Sequence, residues 1–221
     1  GYHLDWLVLD WAKLALEKER LLHDARRKIH ELTLGGLPVA LHRSAGQPYT
    51  YRLTCKGFSV RFGRRNNFPN CYVQFPSEAL WRHGVQAVTE QFEEWHRRLG
   101  SRALRPEKVS RADVAFDLHL PQIDFGYENF RSQAQKDARW NKDRAAQSYQ
   151  FGKGDVVLRF YDKSAEVAEQ SQKFFFYDIW GIGSDVWRVE WQVRGERFKS
   201  FGINTLPQLF AHTPELVREL S

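Results

Sequence analysis

The sequence predicts an α+β fold, an antiparallel sheet with helices packed on one face. Two patterns carry this expectation. Apolar residues recur at helical spacing in Leu14, Leu21, Ala25, Ile29 and Leu32, and again in Val85, Val88, Phe92, Trp95 and Leu99. Elsewhere, as in 109–120 and 187–194, apolar and polar residues alternate with the period of a strand.

In chain order, 4–9 reads as a short strand and 11–32 as a helix closed by Gly35-Gly36. Residues 49–62 read as strand with a bend at Gly57, 63–70 as a basic turn, and 71–75 as its returning strand. A helix over 85–99 ends at Gly100. Strand 109–120 follows, then a polar, basic helix over 126–144. Residues 149–151 and 156–161 form a hairpin turning at Gly152-Lys153-Gly154-Asp155. A helix over 164–172, a strand over 187–194 and a helix over 206–220, broken at Pro214, complete the chain. One domain over 1–221 is expected, with two pseudo-repeat lobes, about 1–104 and 105–221, as the alternative division.

Composition narrows the function classes. Apolar residues make up 42% and charged residues 27%, which excludes a disordered chain. No window approaches a membrane span, and Gly1-Tyr2-His3-Leu4-Asp5 does not open a secretory signal, so a cytoplasmic location without membrane partners is expected. With no Met at any position, the chain reads as an excised domain. Cys55 and Cys71 are expected reduced, and no paired Cys/His spacing suggests zinc. The net charge of +6 favours a polyanionic partner. The 8 Trp, 8 Tyr and 16 Phe strengthen that reading, because aromatic faces stack on unpaired bases.

Three strands concentrate ionisable groups on one face. Alternation puts Arg111, Asp113, Ala115, Asp117 and His119 together, with Ala112, Val114, Phe116 and Leu118 behind them. Arg159, Tyr161 and Lys163 share a face in the second strand, and Arg188, Glu190, Gln192 and Arg194 in the third. One sheet with a polar face open to DNA is the expectation; a ladder of salt bridges is the alternative. The blocks Arg111-x-Asp113-x-Ala115-x-Asp117, Arg159-x-Tyr161-Asp162-Lys163-x-x-Glu166 and Arg188-x-Glu190 through Arg194 resemble, in that order, the signature blocks of the replication initiation factors. The ends, Leu4-Asp5-Trp6-Leu7 and Leu206-Pro207-Gln208-Leu209, are also similar to that family's.

The resemblance implies an HUH-endonuclease-like catalytic sheet and an origin-specific enzyme of rolling-circle replication or transfer. Such an enzyme nicks single-stranded or origin-hairpin DNA, forms a 5′-phosphotyrosyl intermediate, and works beside a host helicase. This sequence has Asp117-Leu118-His119 where the family's relatives carry a His-hydrophobic-His doublet. The expected nucleophile is Tyr161, with Arg159 and Lys163 favouring its phenolate; Tyr149 and Tyr177 compete for the role. Mg²⁺ or Mn²⁺ is the expected cofactor. Asp113 and Asp117 stand about 13 Å apart at strand spacing, so both cannot bind one ion. Asp117, His119 and Glu190 form the first expected set, leaving Asp113 to pair with Arg188 or Arg194; Asp113 with Glu190 is the second. Arg111, Arg188, Arg194, Arg64, Arg65 and the basic 131–144 segment are the expected DNA contacts. A catalytically inactive origin-binding protein of the same fold is the rival function.

Overall fold

The structure, a computed structural model, describes all residues except 7, 8, 65–68, 122–136, 143, 144 and 221; for 137–142 and 145–147 it describes the backbone alone. The chain is a mixed α+β protein built on antiparallel sheets, and it divides into two compact units, residues 1–108 and 109–221.

In the first unit, β1 (Leu4–Asp5) pairs with β7 (Arg102–Ala103). Helix α1 (Trp11–His23) begins where the Asp10 side chain accepts from the Lys13 N–H at 2.9 Å. It stops well before the expected 32. Asp24 closes it, and residues 29–34 instead form β2 (Ile29–Leu34), paired with β3 (Leu37–His42). Gly35 and Gly36 both have positive φ, 57° and 77°, which is the demand of a two-residue hairpin turn, not of a helix stop. Ile29 and Leu32 satisfy helical spacing by coincidence; in the strand they fall on opposite faces.

Strands β4 (Tyr51–Thr54), β5 (Ser59–Phe62) and β6 (Cys71–Gln74) complete a five-stranded sheet in the order β2-β3-β4-β5-β6. Helix α2 (Ser77–Arg98) starts earlier than expected and kinks at Gly84, whose φ is 79°. Past the kink, Val88, Phe92 and Trp95 enter a core made by Val39, Leu41, Leu53, Val60 and Phe62 from one sheet face and Leu14 and Leu21 from α1. Each fully buried side chain of this kind contributes about 1.5–3 kcal/mol. Cys71 is wholly buried and Cys55 partly so; both are free thiols.

The second unit holds β8 (Arg111–His119), β9 (Asp137–Lys142), β10 (Ala145–Phe151), β11 (Val156–Asp162) and β12 (Val186–Arg194) in the order β8-β12-β11-β10-β9. The helix expected over 126–144 is corrected by strand β9 for 137–142; its remainder, 126–136 and 143–144, lies outside the described residues. Strand β11 ends because the Asp162 side chain accepts from the Ala165 N–H at 2.9 Å, opening α3 (Lys163–Glu166). A π-helical turn (Val167–Ser171) continues α3, and α4 (Phe175–Trp180) follows.

Helices α5 (Gly195–Ser200) and α6 (Leu206–Leu220) bring Phe198 and Leu216 against Val193, with Ala112 and Trp191 alongside. Helix α6 runs through Pro214 without the expected break. The apolar face is filled only part-way along β8, because Phe116 and Leu118 remain 43% exposed. Among the described residues, no helix is long and apolar enough to cross a membrane.

Candidate functional site

Strands β8, β12 and β11 lie side by side, so the three charge-bearing sequence blocks share one sheet. The register sets their pairing. Arg188 lies opposite Asp117 and Tyr161, Glu190 opposite Ala115 and Arg159, and Gln192 opposite Asp113. Directly opposed residues share a face. The polar face therefore reads, from one end to the other, Asp117–Arg188–Tyr161, then Glu190–Arg159, then Asp113–Gln192.

At the first end, Arg188 grips Asp117 with two hydrogen bonds, Nε to Oδ1 at 2.6 Å and Nη2 to Oδ2 at 2.7 Å. Trp180 of α4 donates its indole N–H to the same Oδ2 at 2.9 Å. The pair is almost fully buried, with side-chain exposures of 5% and 7%. Burial is the largest single effect and works against the Arg188 charge, but the hydrogen bonds to Asp117, its charge, and those of Tyr161 and Glu190 together outweigh it and hold the guanidinium above its ordinary pKa. The Phe176 ring caps this end, its centroid 4.7 Å from Arg188 and 4.9 Å from Lys163. Lys163 lies on α3 and not on the strand face; it is buried, and its ammonium pairs with Glu166.

Next along the face, the Tyr161 hydroxyl donates to Glu190 Oε2 at 3.3 Å, and Arg159 donates to Glu190 Oε1 at 3.1 Å and to Gln150 at 3.2 Å. Burial, followed by the Glu190 charge, pushes the Tyr161 phenol well above its usual range; Arg188 opposes this only in part. The expectation that Arg159 and Lys163 would favour the phenolate is corrected, because desolvation and the Glu190 carboxylate raise the phenol's pKa and the cation that opposes them is Arg188.

At the far end, Arg111 and Asp113 pair in a half-exposed bidentate contact at 2.5 and 2.7 Å, which is worth little in water. The expected partnership of Asp113 with Arg188 or Arg194 is corrected too: Asp117 takes Arg188, and Arg194 at the exposed strand end stands opposite Arg111. His119 is exposed and lies opposite Val186. Arg64 is exposed, with its guanidinium 4.9 Å from the Trp11 ring centroid; Arg65 lies outside the described residues.

The competing tyrosines separate cleanly. Tyr149 is buried on the opposite, apolar face with Phe151 and Phe160. Tyr177 bonds the Ser164 carbonyl at 3.4 Å. Sequence reading missed Trp180, Phe176 and Gln150. The run Phe174-Phe175-Phe176-Tyr177 was the available signal, but nothing in it told which strand it would cover.

The arrangement does not fit the expected cation set. Both Asp117 oxygens are engaged by Arg188 and Trp180, and Glu190 already accepts from Arg159 and Tyr161. Among the described residues, no three His, Cys, Asp or Glu side chains gather as a metal site. What the cluster can do is hold a phenol, a carboxylate beside it, and one part-exposed cation, Arg159, suited to a phosphate. A scan against protein-family models finds no match for this chain, and a search of curated proteins finds none either.

Proposed function

We propose that this chain is a tyrosine-type DNA nicking-joining enzyme that initiates rolling-circle replication or transfer, acting on single-stranded or origin-hairpin DNA in the cytoplasm of a bacterial host alongside a host helicase. The second sheet is then its HUH-like catalytic sheet. One observation carries the reading: the Tyr161 hydroxyl rests on Glu190 between Arg159 and Arg188.

The chemistry balances within that cluster. The Tyr161 oxygen attacks the scissile phosphorus while its proton passes to Glu190, acting as general base. The bond from phosphorus to the 3′ oxygen breaks, and the departing 3′ oxygen takes up a proton from solvent to become the free 3′ hydroxyl. The 5′ phosphate remains as a phosphotyrosyl ester. Arg159, whose side chain is part-exposed, is the cation placed to steady the phosphate as charge builds on it, while Arg188 stays buried with Asp117.

The test is incubation with a random-sequence single-stranded DNA library, with Mn²⁺ or Mg²⁺ and with EDTA. Cleaved strands with a free 3′ hydroxyl and a protein-linked 5′ end are expected. Strands bound but never cut, in any of these conditions, would instead support the origin-binding protein without catalysis. The burial of Tyr161 is the specific feature that favours this second reading. A thermal shift from Mn²⁺ that disappears in Asp117→Asn would restore the cation set that the geometry disfavours.

A further inference from the structure

The first unit carries a charged surface of a different kind. Its sheet has one face in the core, through Tyr51, Leu53, Val60 and Phe62. The other face carries Arg52, Arg61 and Tyr72, aligned across three neighbouring strands: Arg52 is directly opposite Arg61, and Arg61 directly opposite Tyr72. The Arg61 guanidinium sits 5.9 Å from the Tyr72 ring centroid, and the Tyr49 ring lies 6.4 Å from that of Tyr72. Thr54, Ser59 and Gln74 make the next row. All of these side chains but Gln74 are half-buried.

Two arginines directly opposed on antiparallel strands repel each other and destabilise the sheet. Among the described residues no carboxylate pairs with either of them; Glu31, the acid on this face, stands three strands from Arg61, on the edge strand. The Arg52 Nε–H is shut off from solvent and meets no hydrogen-bond partner among the described residues. A face that concentrates positive charge, leaves it uncompensated and sets tyrosine rings beside it is complementary to a chain of phosphates bearing unpaired bases. A duplex fits it poorly, because its bases are already stacked and offer no faces to Tyr72 and Tyr49.

We propose that this face of the first-unit sheet is a binding platform for single-stranded DNA, with Arg52 and Arg61 on the phosphates and Tyr72 and Tyr49 stacking on bases. The choice of DNA over RNA rests on the proposed nicking function. The geometry itself specifies an unpaired polynucleotide.

The test is fluorescence anisotropy of the whole chain with labelled oligothymidylate, titrated at several salt concentrations. Arg52→Gln with Arg61→Gln is expected to reduce the slope of log affinity against log salt by about 1.4, the release of two single-strand counterions. Tyr72→Ala is expected to weaken binding about 5- to 100-fold, and Tyr72→Phe to restore it, because stacking needs only the ring. In the unbound protein, Arg61→Gln is expected to raise the melting temperature by relieving the repulsion. This sign would not follow if the arginines merely supported the fold, and the single charge change keeps the test alive should Tyr72→Ala misfold.

An unchanged slope together with unchanged Tyr72→Ala affinity would overturn the platform. So would duplex DNA that binds as tightly as oligothymidylate and is equally sensitive to these substitutions. Tighter binding of oligouridylate would overturn the assignment to DNA. Binding that is lost in the arginine variant but intact in Tyr161→Phe, with no cleavage by any variant, would leave the platform standing and remove the nicking function. Cleavage with full affinity in the arginine variant would do the reverse.

Discussion

The two sheets treat charge in opposite ways. Among the described side chains, the charged groups of the second-unit sheet's polar face are mostly paired inside the fold: Arg188 with Asp117, Arg159 with Glu190, Arg111 with Asp113. On the first-unit sheet, Arg52 and Arg61 face each other with no acid between them among the described residues. The first arrangement fixes groups relative to one another, as chemistry at a defined atom requires. The second leaves charge outward, as binding a polyanion requires. A basic composition alone cannot separate these uses. Pairing within the fold can.

The largest effect should come from the most buried pair. Asp117→Ala leaves the Arg188 guanidinium buried without its carboxylate and should cost roughly 3–5 kcal/mol in urea denaturation. Replacing both residues, as in Asp117→Leu with Arg188→Met, should recover much of that loss. A single variant as stable as wild type would break the contrast between the sheets, since this pair would then be no more internal than a surface one.

Glu190→Gln comes next. It keeps the shape, removes the base under Tyr161, and should slow nicking by about 10²- to 10⁴-fold while single-strand affinity changes little. Equal losses of binding and cleavage would mean that Glu190 organises the DNA surface and not the reaction.

Tyr161→Phe sharpens the same point through stability. The removed hydroxyl has a carboxylate partner and lies mostly out of solvent, so about 1.5 kcal/mol should be lost, more than a freely solvated hydroxyl would give. The pH dependence has a definite sign. The folded-state pKa of Tyr161 is raised by burial and Glu190 above its unfolded value near 10. Its contribution is therefore complete below about pH 10 and is lost as pH rises from there through the folded-state value. The stability advantage of wild type over Tyr161→Phe should shrink above about pH 10. A constant difference would place the phenol in solvent.

The smallest effect belongs to the exposed end of the face. Asp113→Asn removes a half-exposed ion pair and should change stability by less than about 1 kcal/mol. A much larger change would show that Arg111 and Asp113 are tied into the buried network.

The strands of the candidate site were legible because period-two alternation in 111–119 and 188–194 is long and strict, and it puts the charged groups of each block on one face. The pairings were not legible. Strand spacing allowed Arg188 to meet Asp113 or Asp117 equally well, and only the register of β12 against β8 decides it. Lys163 was misplaced because the Asp162 cap turns the chain one residue before the alternation would carry it across the face. The first unit was harder to read: Ile29 and Leu32 match both a helix and a strand, and the Gly35-Gly36 hairpin lay hidden in what looked like a helix end. The platform residues gave no sequence signal of their own, since Arg52 and Arg61 become neighbours only through a hairpin.

The most direct test of the nicking function is mass spectrometry of the protein after reaction with the single-stranded DNA library. Trypsin cuts after Arg159 and Lys163, so a nucleotide ester on Tyr161 is expected on the peptide Phe160-Tyr161-Asp162-Lys163 and should be absent from Tyr161→Phe. An adduct of equal yield in Tyr161→Phe, or one mapped to Tyr149 or Tyr177 in the wild type, would contradict the assignment of the nucleophile.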